Sequence, residues 1–324
     1  MLACAPLPAV SLMTIPSIAL VTARAARGTD YDMPLLLDAV REAGAEAHEV
    51  DWDDDTIDWP RFDLALLRST WDYFERLPEF LAWAERVSRQ TRLSNPLDVI
   101  RWNTDKHYLS DLQRAGVPVV PSVFVEPGEN AVSAVDGILQ DFPHPPSAPS
   151  PASGGRKSRD MVVKPAVGAG SRDAQRHSRD SRDAIVAHVQ RLLDKNRSAL
   201  LQPYLDRVDE HGETALLFFD GTFSHAIRKG PLLKRGAGST TGLYAEETIE
   251  PRTPTADELA VAQHALAAIP FEKPLLYARV DLIHGDDGAP RLLELELVEP
   301  SVFAAHAESA ARRFAAAVLA RATR

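Results

Sequence analysis

Three acidic residues lie in two apolar segments near the C-terminus. Asp281 follows Arg279 and Val280, and Glu294 and Glu296 alternate with leucines in the segment LELEL. Residues two apart on a strand share a face, so Glu294 and Glu296 are predicted to project together, beside Asp281 on the neighbouring strand. Carboxylates placed in this way repel one another unless a cation separates them, and all-oxygen ligands suit Mg²⁺. The alternative is an outer sheet face that carries acids, although both segments are as apolar as core strands.

A lysine and a glycine-rich turn form a candidate phosphate site. Lys164 stands within the segment MVVKP, and a lysine in an apolar strand is rarely buried without an anionic partner. Gly168, Gly170 and Ser171 follow in a flexible turn whose backbone N–H groups can surround phosphate oxygens. The pattern is not a Walker A loop, because no Gly-Lys-Ser/Thr follows the glycines. It is not a dinucleotide fingerprint either, because the first strand is followed by TARAARG.

Two further segments are candidates for contact with a nucleotide. Lys106 lies in a predicted helix over residues 104–115, a position that by itself is more typical of a solvated lysine. Residues 202–205 (QPYL) mark the point where a predicted strand enters a loop. Because a proline interrupts the hydrogen-bond ladder of a strand, we expect backbone groups there to be available for a ligand such as adenine.

The elements that must position these residues follow two patterns. In the first part of the chain, strands over 17–23, 45–50 and 62–68 alternate with helices over 34–43, 77–90 and 104–115. Asn103 or Thr104 is the expected N-cap of the last of these helices. This alternation indicates βαβ units and a parallel sheet.

The rest of the chain predicts antiparallel strands with helices, and Asp220-Gly221 is a strong two-residue hairpin signal. The predicted extended segments are 117–125, 160–166, 199–205, 214–219, 222–228, 275–284 and 291–298, and the predicted helices are 181–195, 255–269 and 304–320. The fold class is therefore α/β followed by α+β.

Composition narrows the range of partners and compartments. The formal net charge of −10 argues against nucleic acid or an anionic membrane as the partner, while a local cluster of Lys and Arg still permits an anionic small molecule. The single cysteine, Cys4, excludes an intrachain disulfide and favours a cytoplasmic location. No basic segment precedes the apolar residues 1–10, so a secretory signal is not expected. A homo-oligomer is compatible with the sequence.

Taken in order, these features resemble the ATP-grasp superfamily. The segment Glu294–Pro300 (ELELVEP) is similar to the E-x-N-x-x-x-P pattern of glutathione synthetases, with Glu296 in place of the asparagine. Arg279-Val280-Asp281 resembles the R-x-D of D-alanine–D-alanine ligases, in which the arginine contacts the transferring phosphoryl group and the acid holds metal. The segments VTAR, DMP, RSTWDY, NTDK and LELELVEPS resemble the O-ureido-D-serine cyclo-ligases of D-cycloserine biosynthesis, from about Met13 to the C-terminus.

The resemblance implies an ATP-grasp fold with three domains after an N-terminal extension at residues 1–12. These are a Rossmann-like pre-ATP-grasp domain at 13–116, a small central lid domain at 117–200 and a C-terminal antiparallel-sheet domain at 201–324. The Pro- and Ser-rich segment 142–160 is predicted to be a disordered loop within the lid domain.

The resemblance also implies roles for individual residues. Asp281, Glu294 and Glu296 would hold one or two Mg²⁺ ions. Arg279, Lys164 and Arg228 would act at the transferring phosphoryl group. Arg228 and Lys229 end a predicted hairpin strand and are candidates to face the phosphates, although surface exposure of both is equally expected. ATP would contact Lys106, Lys164, Gly168, Gly170, Ser171, Gln202, Tyr204, Leu205 and Glu213, with Glu213 or Asp206 at the ribose.

Five residues near the carboxyl ends of the first strands are candidates for contact with a small amino-acid-like substrate, because ligands of α/β sheets bind beyond those ends. They are Arg24, Asp32, Ser69, Thr70 and Tyr73. Capping and turn roles are the alternative for these residues, and Trp71 is assigned to packing.

Two other functions stay open. The first is an ATP-grasp ligase that joins an amino acid or peptide carboxylate to a separate amine, which the mass of the product distinguishes from a cyclo-ligase. The second is a non-catalytic ATP-binding or scaffold protein, against which the retained acidic triad argues. Release of ADP with any substrate excludes the second.

Overall fold

Three β-sheets in chain order form the framework of the protein. The structure is a computed structural model and describes residues 15–141, 160–233, 248–272 and 274–323. The predicted N-terminal extension at 1–12 and nearly all of the predicted loop 142–160 lie outside the described residues. Asp160, at the end of that loop, is buried and paired with Arg176 at 2.7 Å.

The first sheet is parallel, as the alternating pattern predicts. Its strands are β1 (Ser17–Thr22), β2 (Glu46–Asp51), β3 (Leu64–Ser69) and β4 (Leu93–Ser94), in the order β2-β1-β3-β4. The helices α1 (Met33–Glu42) and α2 (Leu77–Ser88) connect them. The apolar runs of β1 and β3 are buried because both faces of the sheet are covered. Gly44 ends the first helical segment at φ 101°, a conformation that glycine adopts without strain.

The helix predicted at 104–115 is wrong at its start. Two short helices occur instead, α3 (Leu97–Asn103) and α4 (Tyr108–Arg114), and Lys106 lies in the turn between them. Asn103 does not cap a helix, because its amide donates to the Leu295 carbonyl at 2.8 Å and accepts from the Leu297 N–H at 2.7 Å. Tertiary hydrogen bonds therefore place the helix end where the local sequence does not.

The middle sheet carries the predicted strand of Lys164. Its strands are β5 (Val123–Val125), β6 (Met161–Pro165), β7 (Gln175–His177) and β8 (Ala199–Pro203), all antiparallel, in the order β5-β8-β6-β7. The helices α5 (Ala131–Asp141) and α6 (Arg182–Leu193) share an apolar core with it. Neither α5 nor β7 is predicted from the sequence, and β8 spans the predicted domain boundary at residue 200.

The third sheet is antiparallel and carries the acidic residues. A short helix α7 (Val208–His211) precedes the strands β9 (Glu213–Phe219), β10 (Thr222–Lys229), β11 (Ile249–Arg252), β12 (Tyr277–His284) and β13 (Pro290–Glu296). Their order is β11-β10-β9-β12-β13. Asp220 and Gly221 have φ values of 45° and 76°, as the predicted two-residue hairpin requires. The helix α8 (Ala256–Ala268) begins with a capping box between Thr255 and Glu258.

The C-terminal helix starts later than predicted. A short 3₁₀ turn covers Ala304–His306, and the helix α9 spans Ala310–Ala322. Asp32 accounts for the difference, because its carboxylate accepts hydrogen bonds from the N–H groups of Val302 and Phe303 at 2.8 and 2.9 Å and of Ala304 at 2.7 Å. α9 packs on α1 in a core shared by the first and third sheets.

Within the described ranges, none of the helices combines the length and apolar character that a membrane span requires.

Candidate active site

A cavity of about 680 Å³ lies where the three sheets meet. Lys164 lines it from β6, Asp281 from β12 and Glu294 from β13, and Tyr73 lines it from the loop after β3. The turn 168–171 after β6 forms another wall. Residues distant in the sequence therefore face one space.

The predicted acidic face is formed as the strand period requires. In the antiparallel pair of β12 and β13, Asp281 lies opposite Glu294 and Arg279 lies opposite Glu296. Directly opposite residues share a face, so these four side chains project on one side of the sheet.

Basic side chains of the protein itself separate the carboxylates. Lys106 Nζ lies 3.0 Å from Glu294, and Lys229 Nζ donates to Asp281 across 2.8 Å. Arg279 donates to Asp281 at 2.9 Å and also to Glu296. The expected repulsion is thus balanced without a metal ion, and among the described residues no group of three acidic side chains is arranged to hold one.

Burial and these cations set the pKa values in opposite directions. Burial raises the pKa of the Asp281 carboxyl, but Arg279 and Lys229 together hold it well below its usual range. At Glu294, Lys106 and Lys164 likewise outweigh burial and lower the pKa. Burial raises the pKa of Glu296 to about 7, because Arg279 offsets burial only in part and Asp281 repels the charge. Two carboxyls of the face are therefore firmly ionised, and the third titrates near neutrality.

Lys164 and the glycine turn face the same space. Burial lowers the pKa of the Lys164 ammonium, and in the described part of the chain no acidic side chain lies within ion-pair distance of it. Gly170 and Ser171 have φ values of 60° and 56°, and Lys106 Nζ donates to the Gly168 carbonyl at 2.8 Å. Positive charge and a tight backbone turn are therefore adjacent, as an anion site requires.

The segment 202–205 lines the cavity, but its backbone is less available than the proline suggests. Pro203 remains within β8 opposite Met161, and the Tyr204 N–H donates to the Asp160 carbonyl at 2.7 Å. The Gln202 amide donates to Ser122 Oγ at 2.9 Å. The expectation that proline releases the ladder at this point is wrong for the Tyr204 N–H group.

Known proteins resemble this chain in sequence and in fold. Residues 18–95 match the family model for the N-terminal domain of the D-cycloserine synthetase DcsG. The cycloserine biosynthesis protein DcsG of Streptomyces lavendulae is 43% identical over 305 residues, which cover 93% of this chain and 97% of that protein. The chain belongs to the DcsG family of D-cycloserine synthetases.

Solved structures agree with this family. The crystal structure of D-cycloserine synthetase DcsG superposes with a TM-score of 0.84 at 43% identity and covers 94% of this chain and 99% of that one. The ATP-grasp ligase PsnB, complexed with a minimal precursor, Mg and ADP, gives a TM-score of 0.60 at 18% identity over 95% of this chain and 98% of that chain. The predicted ATP-grasp fold and the predicted resemblance are confirmed.

One predicted catalytic residue of this DcsG-family protein points away from the cavity. Arg228 pairs with Thr214 on the opposite face of β10 and donates to the His211 carbonyl at 2.9 Å. Its neighbour Lys229 faces Glu213, lines the cavity and forms ion pairs with Glu213 and Asp281. The expectation that Arg228 faces the phosphates is therefore wrong for this cavity, because Lys229 and not Arg228 lines it.

The candidate substrate residues of the first sheet divide into two groups. Tyr73 and Asp32 line the cavity, although Asp32 already binds the backbone of 302–304. Arg24 is exposed and lies 3.5 Å from Asp54. Ser69 Oγ shares a hydrogen bond of 2.8 Å with Thr22, and Thr70 is fully buried outside the cavity wall. Arg24, Ser69 and Thr70 therefore do not line the cavity.

Three cavity residues of this DcsG-family protein are missed or misjudged from sequence. Lys229 is noted only beside Arg228, and Glu299 receives no role. Trp71 is assigned to packing, yet it lines the cavity and its Nε1–H donates to the Glu299 carbonyl at 3.2 Å. The only sequence signal for Glu299 is its place in the segment ELELVEPS, three residues after the alternating acids.

Proposed function

We propose that this protein is an ATP- and Mg²⁺-dependent cyclo-ligase that converts O-ureido-D-serine into D-cycloserine. The observation that carries the proposal is the convergence of three carboxylates, three lysines and Arg279 on one cavity in a chain 43% identical to a cycloserine biosynthesis protein. The lining residues also account for ATP and a small amino-acid-like substrate in the same space. Neither nucleic acid nor a membrane is needed as a partner.

The three lysines that line the cavity, Lys106, Lys164 and Lys229, would bind the phosphates. Lys106 and Lys164 line the cavity together with the turn 168–171, and Lys229 adds positive charge from β10. Because burial lowers the pKa of Lys164, an anionic phosphate would favour its protonated form. Gly168, Gly170 and Ser171 would cover the phosphates and exclude water from an activated intermediate.

The oxygen atoms of the acidic face have the chemistry that Mg²⁺ requires, although these side chains now pair with lysine and arginine and are not arranged around a metal ion. Asp281, Glu294 and Glu296 offer only oxygen ligands from one face, and a nearby divalent cation would favour the ionised form of Glu296. Lys106 now pairs with Glu294, and Lys229 pairs with Asp281. When a metal ion replaces these ammonium groups at the carboxylates, both lysines would be free to bind phosphate oxygens. Bound Mg²⁺ would neutralise charge on the phosphates.

The nucleotide would extend from this centre towards the segment 202–205. Gln202, Tyr204 and Leu205 line the cavity beside β8 and supply a surface for adenine. Glu213 begins β9 and pairs with Lys229, and in this proposal its carboxylate would bind the ribose. The domain division at 13–116, 117–200 and 201–324 belongs to the same proposal, with the second boundary moved past Pro203 to keep β8 whole.

The chemistry begins by making the substrate carboxylate electrophilic. Transfer of the γ-phosphoryl group forms an acyl phosphate with phosphate as its leaving group, and ADP departs. Arg279, fixed by Asp281 and Glu296, meets the charge that develops during this transfer. The alkoxy-bearing urea nitrogen then attacks the acyl carbon, loses its proton and displaces phosphate, which closes a five-membered ring. Hydrolysis of the carbamoyl group releases CO₂ and ammonia.

The test is to incubate purified protein with ATP, Mg²⁺ and O-ureido-D-serine, measure ADP and identify the product by mass. Equal amounts of ADP and D-cycloserine are expected. If this substrate is inert while an amino acid plus an amine releases ADP and gives the mass of their amide, the protein is a different ATP-grasp ligase. If ADP and cycloserine both fail to appear under all of these conditions, the proposal is wrong.

A further inference from the structure

Seven carboxylates line the cavity, and in the described part of the chain six of them have a basic group within 4.0 Å. Arg68 lies 3.6 Å from Asp30 and 3.8 Å from Asp32. The acidic residues of the third sheet form ion pairs with Lys106, Lys229 and Arg279. Glu299 is the exception, because no hydrogen bond or ion pair to its carboxyl is formed by the described residues. It is 9% exposed. A carboxyl that lines a cavity without a protein partner has its oxygens available for a ligand.

The loop that carries Glu299 is held at every residue. Five consecutive carbonyls accept a hydrogen bond from a side chain, and the donors come from β3, from the loops after β3 and β4, and from β12. Asn95 binds the Leu297 carbonyl at 2.7 Å, Tyr277 that of Val298 at 3.0 Å, Trp71 that of Glu299 at 3.2 Å, Arg68 that of Pro300 at 2.8 Å and Arg279 that of Ser301 at 3.3 Å. A loop fixed in this way positions the Glu299 side chain before any ligand arrives.

The surroundings of Glu299 favour a cationic ligand group. Burial, Glu296 and Glu294 together raise the pKa of the Glu299 carboxyl to about 8, against the opposite effect of Lys106 and Arg279. A positively charged group placed against this carboxyl would favour its ionised form and gain a strong, charge-assisted hydrogen bond. Phosphate groups would be repelled at the same position.

We propose, on the basis of the proposed function, that Glu299 binds the α-ammonium group of the amino-acid substrate. The ammonium and carboxylate of an α-amino acid are attached to one carbon, so their binding groups must be neighbours. Arg279 acts at the carboxylate, and it also binds the loop of Glu299 through the Ser301 carbonyl. Asp30 and Asp32 are less suitable, because Arg68 lies within 4.0 Å of both carboxylates and Asp32 also binds three N–H groups.

Two substrates and two proteins test this contact. The substrates are O-ureido-D-serine and 3-(ureidooxy)propanoic acid, which lacks only the α-amino group and can still close the ring. The wild-type protein is expected to lose about tenfold to a hundredfold in kcat/KM on removal of the amino group, the range for one charged hydrogen bond. Glu299→Gln is expected to lose a similar factor with O-ureido-D-serine, mainly through KM, and no further factor with the desamino compound.

Matched variants exclude indirect effects. Glu308→Gln removes one exposed carboxylate close by in the sequence and should leave both kinetic ratios as in the wild type. Glu299→Asp keeps the charge and should retain part of the preference for the amino compound. If Glu299→Gln discriminates between the two substrates as strongly as the wild type, Glu299 does not contact the ammonium group and the inference is wrong.

Calorimetric binding of the same two compounds in the presence of ADP and Mg²⁺ separates this inference from the proposed function. If the wild type forms no cycloserine but binds the amino compound more tightly, and Glu299→Gln loses that preference, the ammonium contact holds and the cyclo-ligase function fails. If the wild type forms cycloserine and Glu299→Gln still discriminates between the two compounds as the wild type does, the cyclo-ligase function holds and the ammonium contact fails. If the wild type binds neither compound, both are overturned.

Discussion

Lys229 Nζ lies 2.8 Å from Asp281 Oδ2, and both side chains are buried in the cavity wall. Lys229 also pairs with Glu213, so one ammonium group balances two carboxylates on neighbouring strands. Lys229→Met should therefore lower turnover by at least about a hundredfold, as expected when a charge-stabilising group is lost. It should also lower the free energy of unfolding by about 3–5 kcal/mol, because buried charges lose their partner.

Arg228→Met is the matched control for this prediction. Arg228 is adjacent in sequence and similar in length but binds the last carbonyls of α7 on the other face of the sheet. Steady-state ADP release from Arg228→Met should stay close to that of the wild type. A larger loss of turnover in Arg228→Met than in Lys229→Met would contradict the placement of these two residues.

The sequence alone could not predict that Lys229, and not Arg228, faces the cavity. A two-residue turn at Asp220-Gly221 with regular pairing would place Arg228 opposite Glu213. The register of β9 and β10 shifts by one residue between Phe223 and His225, so Lys229 takes that place. A bulge of this kind turns every later side chain of the strand to the other face of the sheet, and no local sequence pattern predicts it.

Other parts of the site were predictable because they depend on local periodicity. The alternation of Glu294 and Glu296 with leucines is sufficient to put both on one face, and the strand of Lys164 and its glycine turn are contiguous in sequence. The position of Lys106 could not be predicted in this way, because hydrogen bonds between Asn103 and the segment 295–297 end α3 before Lys106. Glu299 was missed for a similar reason, since its loop is fixed by side chains from distant segments.

Removal of the charge of Lys164 or of Glu294 should slow the reaction strongly while the fold is retained. Lys164→Ala and Glu294→Gln should each lower kcat by at least about a hundredfold, because each removes a group that acts on charge at the phosphates. ADP release and circular dichroism measured on the same preparations check both statements. Near-wild-type rates in either variant would remove that residue from the proposed site.

Asp32 is expected to contribute to stability more than to substrate binding. Its carboxylate accepts three backbone N–H groups from residues 302–304, and an asparagine offers only one acceptor oxygen without the charge. Asp32→Asn should lower the free energy of unfolding by about 1.5–3 kcal/mol, the range for a hydrogen bond to a charged group. Urea unfolding measures this, with Asp38→Asn, whose side chain is 72% exposed, as the control. Equal stabilities of the two variants would contradict the capping role.

His177 should make the fold sensitive to mild acid. Burial, with help from His188 and Arg191, lowers the pKa of His177 from 6.5 to about 4, so the folded protein keeps this ring neutral where the unfolded chain protonates it. The contribution is fully present above pH 6.5 and is lost as the pH falls towards 4. The slope is at most about 1.4 kcal/mol per pH unit. His177→Gln should flatten the fall in melting temperature across this range, and an unchanged slope would contradict the prediction.

Arg172 connects the glycine turn to the first sheet and should control the coupling between ATP use and ring closure. Its guanidinium lies 2.7 Å from Glu75 and 5.2 Å from the ring of Phe74. Because a partly exposed ion pair contributes at most about 1 kcal/mol, Arg172→Gln should fold normally but hold the turn less firmly over the cavity. Water would then reach the acyl phosphate more often, so more than one ADP should form for each D-cycloserine. Arg182→Gln, which breaks the pair with Asp136 in the same part of the chain, should keep the wild-type ratio. A ratio unchanged in Arg172→Gln would show that this contact does not control water access.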